Sequence, residues 1–142
     1  MASIVYNSFI EDVNNGVVVP GSDTFYAFLV TDAYTANKDL HERRADVVGE
    51  ATGDGYTPGG KQVAVTVTRD DVNDRTDIVF ENVAWASSTI TARGAVIYKR
   101  RGGAATADEL VTYVDFGSNK SSTLGTFALS FTGPLRYQNL SA

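Results

Sequence analysis

The sequence contains no cysteine, one histidine and no long apolar segment. Without cysteine, the chain forms no disulfide bond, thiolate metal site or cysteine nucleophile. No apolar run approaches the roughly 18 residues that a membrane-spanning helix needs. The first residues also lack the basic region and the apolar stretch of a signal peptide. We therefore expect a protein that is synthesised in the cytoplasm and is held together by its core or by partners.

Basic residues are outnumbered, with 12 Lys and Arg against 17 Asp and Glu and a net charge of −5. Nucleic-acid-binding proteins usually carry a basic surface that replaces phosphate counterions, so we expect no nucleic-acid partner. The basic residues collect in two places, Arg43-Arg44 and Lys99-Arg100-Arg101. Each cluster can be a solvated strand end, or it can pair with an acidic surface of a partner.

Alternating and continuous apolar segments predict a β-rich protein. Residues 24–30 form a short aromatic run that is typical of a buried strand, and Val63, Val65 and Val67 alternate with smaller or polar residues. Six further strands are predicted at 77–81, 83–86, 91–98, 110–116, 126–131 and 135–137. About eight strands with turn signals between them predict a mainly all-β fold, an antiparallel β-sandwich or jelly roll. The length of 142 residues suits a single domain over residues 1–142.

Two segments depart from the β pattern. Within residues 1–16, apolar residues recur at helical spacing, which predicts a short helix that starts at a Ser3 cap and stops at Asn14–Gly16. This helix could cover an open end of a sheet or dock onto a neighbouring subunit. Residues 31–46 are polar and predict an irregular surface excursion with a weak helical turn around Lys38 to Arg44. Long irregular segments of this kind often carry function.

The segment GDGYTPGGKQ, residues 53–62, comes within one residue of a phosphate-binding loop. Such a loop needs a helix to follow it, but Lys61 is followed by the alternating strand pattern QVAVTVTR. Gln62 replaces the hydroxyl that would bind Mg²⁺, and Pro58 removes one N–H donor. We therefore predict a glycine turn that leads into a strand, with Lys61 solvated.

The remaining candidate sites are also incomplete. His41-Glu42 begins like a zinc-protease motif, but Ala45 stands where the second histidine belongs. His41 can be a solvated residue or part of a pH-responsive histidine–carboxylate pair at an interface. The acidic cluster at 70–74 resembles part of a calcium loop, but Arg75 occupies a ligand position, which favours a hairpin turn over an adventitious cation site. We expect no catalytic residue, no metal and no cofactor.

Several segments in order resemble a family of small virion structural proteins of tailed bacteriophages. They are TFYAFLVT followed by AYTANKD, then GDGYTPGG, VAWASSTITARGAVIY and VDFG, which together span roughly residues 4 to 132. WASSTITARGAVIY is the most specific of them. The resemblance implies a non-enzymatic, repeated component that binds other phage proteins.

Within that family, we expect a capsid decoration (cement) protein on the outer surface of the head. Its partners would be the major capsid protein and copies of itself, as a dimer or trimer, with no membrane or small-molecule substrate. A tail tube, tip or fibre component and a carbohydrate-binding or hydrolytic module on the virion are the alternatives. The N-terminal helix and the 31–46 excursion are the expected contact regions. The expected interface residues are Tyr6, Phe9, Tyr34, His41, Arg43, Arg44, Tyr56, Arg100 and Arg101.

Overall fold

A computed structural model describes residues 2–138, and Met1 and residues 139–142 of the predicted domain lie outside the described part. The predicted mainly all-β fold with a short N-terminal helix is confirmed. The helix α1 is Asn7–Asn14. The strands are β1 Ile4–Val5, β2 Phe25–Val30, β3 Lys61–Val63, β4 Val65–Asp70, β5 Arg75–Phe80, β6 Val83–Lys99, β7 Leu110–Leu129 and β8 Leu135–Gln138. No helix within residues 2–138 is long and apolar enough to cross a membrane.

The strands form two antiparallel sheets that share one core. The larger sheet has the order β1-β7-β6-β2-β3, and the smaller has the order β4-β5-β8. Both faces of β2 are buried, as its aromatic sequence predicted. On one face of the larger sheet, the Tyr34 ring meets the Tyr113 ring edge-on at 5.6 Å. On the other face, Phe80 and Leu135 of the smaller sheet line a small cavity with Thr112 and Val114.

Two pairs of predicted strands are continuous in the structure. The predicted strands 83–86 and 91–98 are both part of β6, and 110–116 and 126–131 fall within or just beyond β7. The pairing of β6 with β7 shifts register at several places, where Ser87, Gly117 and Leu124 have positive φ values of 49°, 79° and 47°. Serine, glycine and asparagine in these stretches resembled turns, but here they form β-bulges that leave the strand unbroken.

The N-terminal segment contains both a strand and a helix. Ile4 and Val5, the latter predicted on the helix, pair with Tyr113 and Thr112 of β7. Ser3 caps no helix, because its Oγ accepts the backbone N–H of Asp115 at 2.9 Å. β-branched residues favour the strand here, since an edge of β7 is available for pairing. The predicted stop is confirmed, with Gly16 at φ 72°.

The 31–46 excursion is irregular, as predicted. The N–H of His41 bonds to the Asn37 carbonyl at 3.0 Å and closes one turn, and Arg44–Asp46 forms a single 3₁₀ turn. The hairpin turn at 70–74 is also confirmed, because β4 ends at Asp70 and β5 begins at Arg75.

Candidate interaction surface

Backbone hydrogen bonds attach the 31–46 excursion to α1 and to the connection between β6 and β7. Asn7 of α1 donates its N–H to the Lys38 carbonyl at 3.0 Å. Arg44 donates to the Asp108 carbonyl at 2.9 Å, and Leu110 donates to the Glu42 carbonyl at 3.1 Å. The excursion therefore lies between α1 and the connection from β6 to β7. Most of the predicted interface residues meet here, namely Tyr6, Phe9, Tyr34, His41, Arg43, Arg44 and Arg101.

Tyr6, Tyr34 and His41 form a chain of hydrogen bonds beneath the excursion. The Tyr6 and Tyr34 hydroxyl oxygens are 2.8 Å apart, and the Tyr34 oxygen is 2.9 Å from His41 Nδ1. Burial raises the pKa of Tyr6, and it raises the pKa of Tyr34 to about 12. Both phenols therefore stay neutral near pH 7 and can donate hydrogen bonds.

Four of the predicted contact residues lie in the core of the chain itself. Tyr6 is 0% exposed, and the other three are at most 8% exposed, namely Phe9, Tyr34 and Tyr56. These side chains pack within the monomer because the excursion and the glycine turn fold over them. A partner would reach them only after the covering segments moved.

The predicted contact arginines mostly pair with carboxylates of the same chain. Arg44 Nε lies 2.8 Å from Asp108 Oδ2, and Arg43 lies 3.7 Å from Asp12. Arg101 pairs with Glu109, which is 2% exposed. These ion pairs fasten the excursion and the β6–β7 connection to the core, so most of the basic residues already have partners.

Arg100 differs from the other three arginines. Its guanidinium lies 4.3 Å from the centre of the Tyr26 ring, and no ion pair joins it to a carboxylate within the described chain. It is exposed. Arg100 is therefore the predicted arginine that remains open to a partner.

Asp12 is a buried carboxylate on α1 whose negative charge is only weakly stabilised by its neighbours. It is 9% exposed, and its Oδ2 accepts no hydrogen bond from the residues described. Burial raises the pKa of Asp12, and the nearby Arg43 only partly opposes this. The charged form is therefore unfavourable in the folded protein.

The glycine turn of residues 53–60 supports the sheet. Tyr56 donates its hydroxyl proton to Glu50 at 2.9 Å and accepts the Leu29 N–H at 3.0 Å. The Gly59 N–H bonds to the same carboxylate at 2.8 Å. The turn leads into a strand, as predicted, because β3 begins at Lys61. The single strand predicted through Val63, Val65 and Val67 is instead divided between β3 and β4, which belong to different sheets. The Lys61 ammonium was predicted to be solvated; it is exposed but also donates to the Ala84 carbonyl at 2.6 Å.

The acidic cluster at 70–74 organises its own turn. Asp70 Oδ1 accepts the N–H groups of Val72 and Asn73, both at 3.1 Å. Within residues 2–138, no three His, Asp or Glu side chains are grouped so that they could hold a metal ion.

The outer edge of β7 is a surface that the sequence did not reveal. β1 pairs with this edge at Thr112 and Tyr113, and the flanking residues Tyr6 and Ser3 bond to Val111 and Asp115. No other described strand pairs with the edge, so it is uncovered beyond Asp115. Beside the edge lies an open groove of about 490 Å³. Its apolar lining comes from Val114, Phe116, Phe127 and Ala128. Its polar lining comes from the charged residues Asp115 and Lys120 and from the hydroxyl groups of Ser3, Ser121, Thr126, Ser130 and Thr132.

Leu124 lies on β7 between Ser121 and Thr126, which line the groove, and it is 84% exposed. Its backbone has a φ of 47°, and its N–H bonds to Thr89 Oγ1 at 3.1 Å. Ser88 and Ser122 bond to each other beneath this bulge at 2.8 Å. The bulge therefore holds an exposed leucine in a backbone conformation that non-glycine residues rarely adopt. In the sequence, the only indication of this exposed residue was an isolated leucine within the polar segment SNKSSTLGT.

Comparison of the chain with family models, with curated proteins and with solved structures found no match. The function is therefore inferred from the residues and their contacts.

Proposed function

We propose that the protein is a non-enzymatic structural protein of a tailed-bacteriophage virion, and specifically a capsid decoration (cement) protein. The observation that carries the proposal is the outer edge of β7 beyond Asp115, which no described strand covers, with its groove and the exposed Leu124. An uncovered strand edge is a ready template for pairing with another chain. The segments that resemble virion structural proteins provide independent support.

The partner is the major capsid protein on the outer head surface. An extended segment of that protein pairs with the β7 edge through main-chain hydrogen bonds, and its side chains enter the apolar part of the groove. Leu124 adds an apolar anchor at the edge of the contact. A stable interface of this kind buries roughly 800 Å² on each partner. Copies of the protein at neighbouring positions, as dimers or trimers on local symmetry axes, would then clamp adjacent capsomers against internal pressure.

The polar contacts of the fold suit a rigid scaffold for such an edge. Asp108 and Glu109 hold Arg44 and Arg101, and Glu50 holds the glycine turn. Each of these carboxylates is engaged in joining one segment of the chain to another.

The test uses a phage that lacks this gene, complemented with the wild type, Leu124→Asp or Val72→Asp. Aspartate tolerates the left-handed conformation at residue 124 better than leucine does, so the fold should survive. Val72 is 91% exposed at the β4–β5 turn, away from the β7 edge, and serves as the matched control. The copy number on purified particles is measured by quantitative gel analysis and cryo-electron microscopy.

We expect heads without the protein to release DNA at a lower temperature than wild-type heads. Val72→Asp should bind normally and restore stability, whereas Leu124→Asp should be lost from the particles. Normal heads with defective tails would contradict the cement function and favour a tail component. Equal occupancy of both variants on heads would exclude Leu124 as an anchor.

A further inference from the structure

The hydrogen bonds around His41 fix its protonation state. The Asn37 backbone N–H points at His41 Nδ1 from 3.2 Å, so Nδ1 must carry a lone pair. The Tyr34 oxygen lies 2.9 Å from the same nitrogen, and only a donated hydroxyl proton makes this approach attractive. Because Tyr34 has a single proton, Tyr6 must donate to Tyr34. The donors run from Tyr6 to Tyr34 to His41, and the imidazole is neutral with its proton on Nε2.

A proton on Nδ1 is incompatible with this arrangement. Nδ1–H would have to donate to Tyr34, and Tyr34 would then donate to Tyr6. The Tyr6 hydroxyl proton would be left without an acceptor in a site that is 0% exposed, since Tyr34 is its one hydrogen-bond partner in residues 2–138. The Asn37 N–H would lose its acceptor as well. Buried donors left unpaired are costly in folded proteins.

Charged and titratable groups approach this site from each surrounding element. Within the excursion, the Asp46 carboxylate interacts electrostatically with His41. The same carboxylate accepts the backbone N–H groups of Glu42 and Arg43, both at 2.9 Å. The Arg43 guanidinium pairs with Asp12 of α1. Tyr6 lies before α1, and Tyr113 on β7 contacts the Tyr34 ring. Asp32 of the excursion and Arg93 of β6 line a small cavity with Tyr34 and Tyr113. The negative charge of Asp46 attracts a protonated imidazole, but its oxygen is engaged with the backbone and cannot replace the lost acceptors.

We propose that His41 is a proton-operated switch for the 31–46 excursion. When neutral, the imidazole accepts from Asn37 and Tyr34 and holds the excursion over Tyr6. When protonated, it disrupts the hydrogen-bond chain and loosens the excursion, which uncovers the Tyr6 and Tyr34 side chains. This device depends only on the folded chain and not on the proposed capsid partner.

Because His41 is the only histidine, the switch can be tested without interference from other imidazoles. Amide hydrogen exchange of the purified protein is followed by NMR at about pH 7.5 and pH 5.5, on either side of the usual histidine range. The amides of His41 and Arg44 report the excursion, and that of Leu29 in the core serves as the reference. The control is His41→Asn, whose side-chain oxygen can still accept but does not titrate.

After correction for intrinsic exchange rates, we expect protection of the His41 and Arg44 amides to fall about tenfold or more at the lower pH. Leu29 should be unaffected, and the asparagine variant should show no such fall. The same loss of protection in both proteins, or no loss in the wild type, would overturn the proposal. A second measurement needs no variant: the ¹⁵N shifts of the wild-type imidazole must show Nδ1 unprotonated at pH 7.5. A protonated Nδ1 at that pH would refute the switch.

Discussion

At the scale of single residues, Gly60 shows how closely the glycine turn approaches β2. A Cβ at Gly60 would lie 2.0 Å from the Ala27 carbonyl oxygen, and the backbone φ is 82°. We expect Gly60→Ala to lower the free energy of unfolding by more than about 3 kcal/mol, because two backbones would have to separate. Gly102 has a similar φ of 85° but open space around it. Gly102→Ala should cost only about 1 kcal/mol of backbone strain. Urea denaturation of both variants measures the difference, and equal losses would contradict the steric explanation.

The buried carboxylate of Asp12 gives a prediction with a defined pH dependence. Burial raises its pKa in the folded state above the unfolded value of about 4. The stability contributed by the protonated carboxyl is therefore present at low pH and is lost as the pH rises through the folded pKa. Asp12→Asn removes this loss and should raise the free energy of unfolding at pH 7 by about 0.5 to 1 kcal/mol. The advantage over wild type should shrink at about pH 3. A variant less stable than wild type at pH 7 would show that the contact with Arg43 dominates.

At the scale of elements, Asp108 joins the excursion to the β6–β7 connection. It is 1% exposed, and it accepts both the Arg44 side chain at 2.8 Å and the Arg101 N–H at 3.0 Å. We expect Asp108→Asn to lower the free energy of unfolding by about 3 kcal/mol, because Arg44 would keep its charge without a buried counter-charge. The control is Asp71→Asn in the exposed pair with Arg69, which should leave stability unchanged. Thermal unfolding followed by circular dichroism measures the stability lost in each variant. Equal losses in Asp108→Asn and Asp71→Asn would mean that burial of the ion pair is unimportant.

The strands that the sequence predicted best are those whose pattern is local. The run 24–30 is apolar throughout, and the Asp-rich turn at 70–74 separates two alternating segments, so both could be recognised without knowledge of the fold. The continuity of β6 and β7 could not be predicted, because Ser87 and Leu124 adopt positive φ only where the opposite strand bulges as well. Such bulges depend on pairing between distant segments.

The contrast between local patterns and contacts of distant segments also applies to the candidate surface. The sequence singled out His41 and the clustered arginines, but several contacts of the candidate surface join residues that are far apart in the sequence. Arg44 pairs with a residue 64 positions later, and Tyr6 bonds to one 28 positions later. Whether a basic residue faces a partner or a carboxylate of its own chain therefore depends on the tertiary fold. The β7 edge was missed for a similar reason, since an edge exists only once the strand order is known.

At the scale of the whole molecule, the two sheets share one continuous core. Aromatic rings connect its parts: Trp85 contacts Tyr56 at 5.9 Å and Phe127 at 6.2 Å, and Phe80 of the smaller sheet contacts Phe131 at 5.3 Å. The smaller sheet has only three strands and buries Ile78 and Phe80 against the larger one. Neither sheet therefore completes its apolar interior alone.

A shared core predicts that the chain unfolds as one unit. Trp85 is the only tryptophan, is 4% exposed and lies on β6, so its fluorescence reports the larger sheet. Far-UV circular dichroism reports the strands of both sheets together. We expect the two urea transitions to have the same midpoint and slope, because loss of the smaller sheet would expose the apolar face that it covers. An earlier transition by circular dichroism would instead show that the β4-β5-β8 sheet separates first. In that case Ile78→Ala should shift the early transition and leave the fluorescence midpoint in place, whereas in a cooperative unit it lowers both midpoints equally.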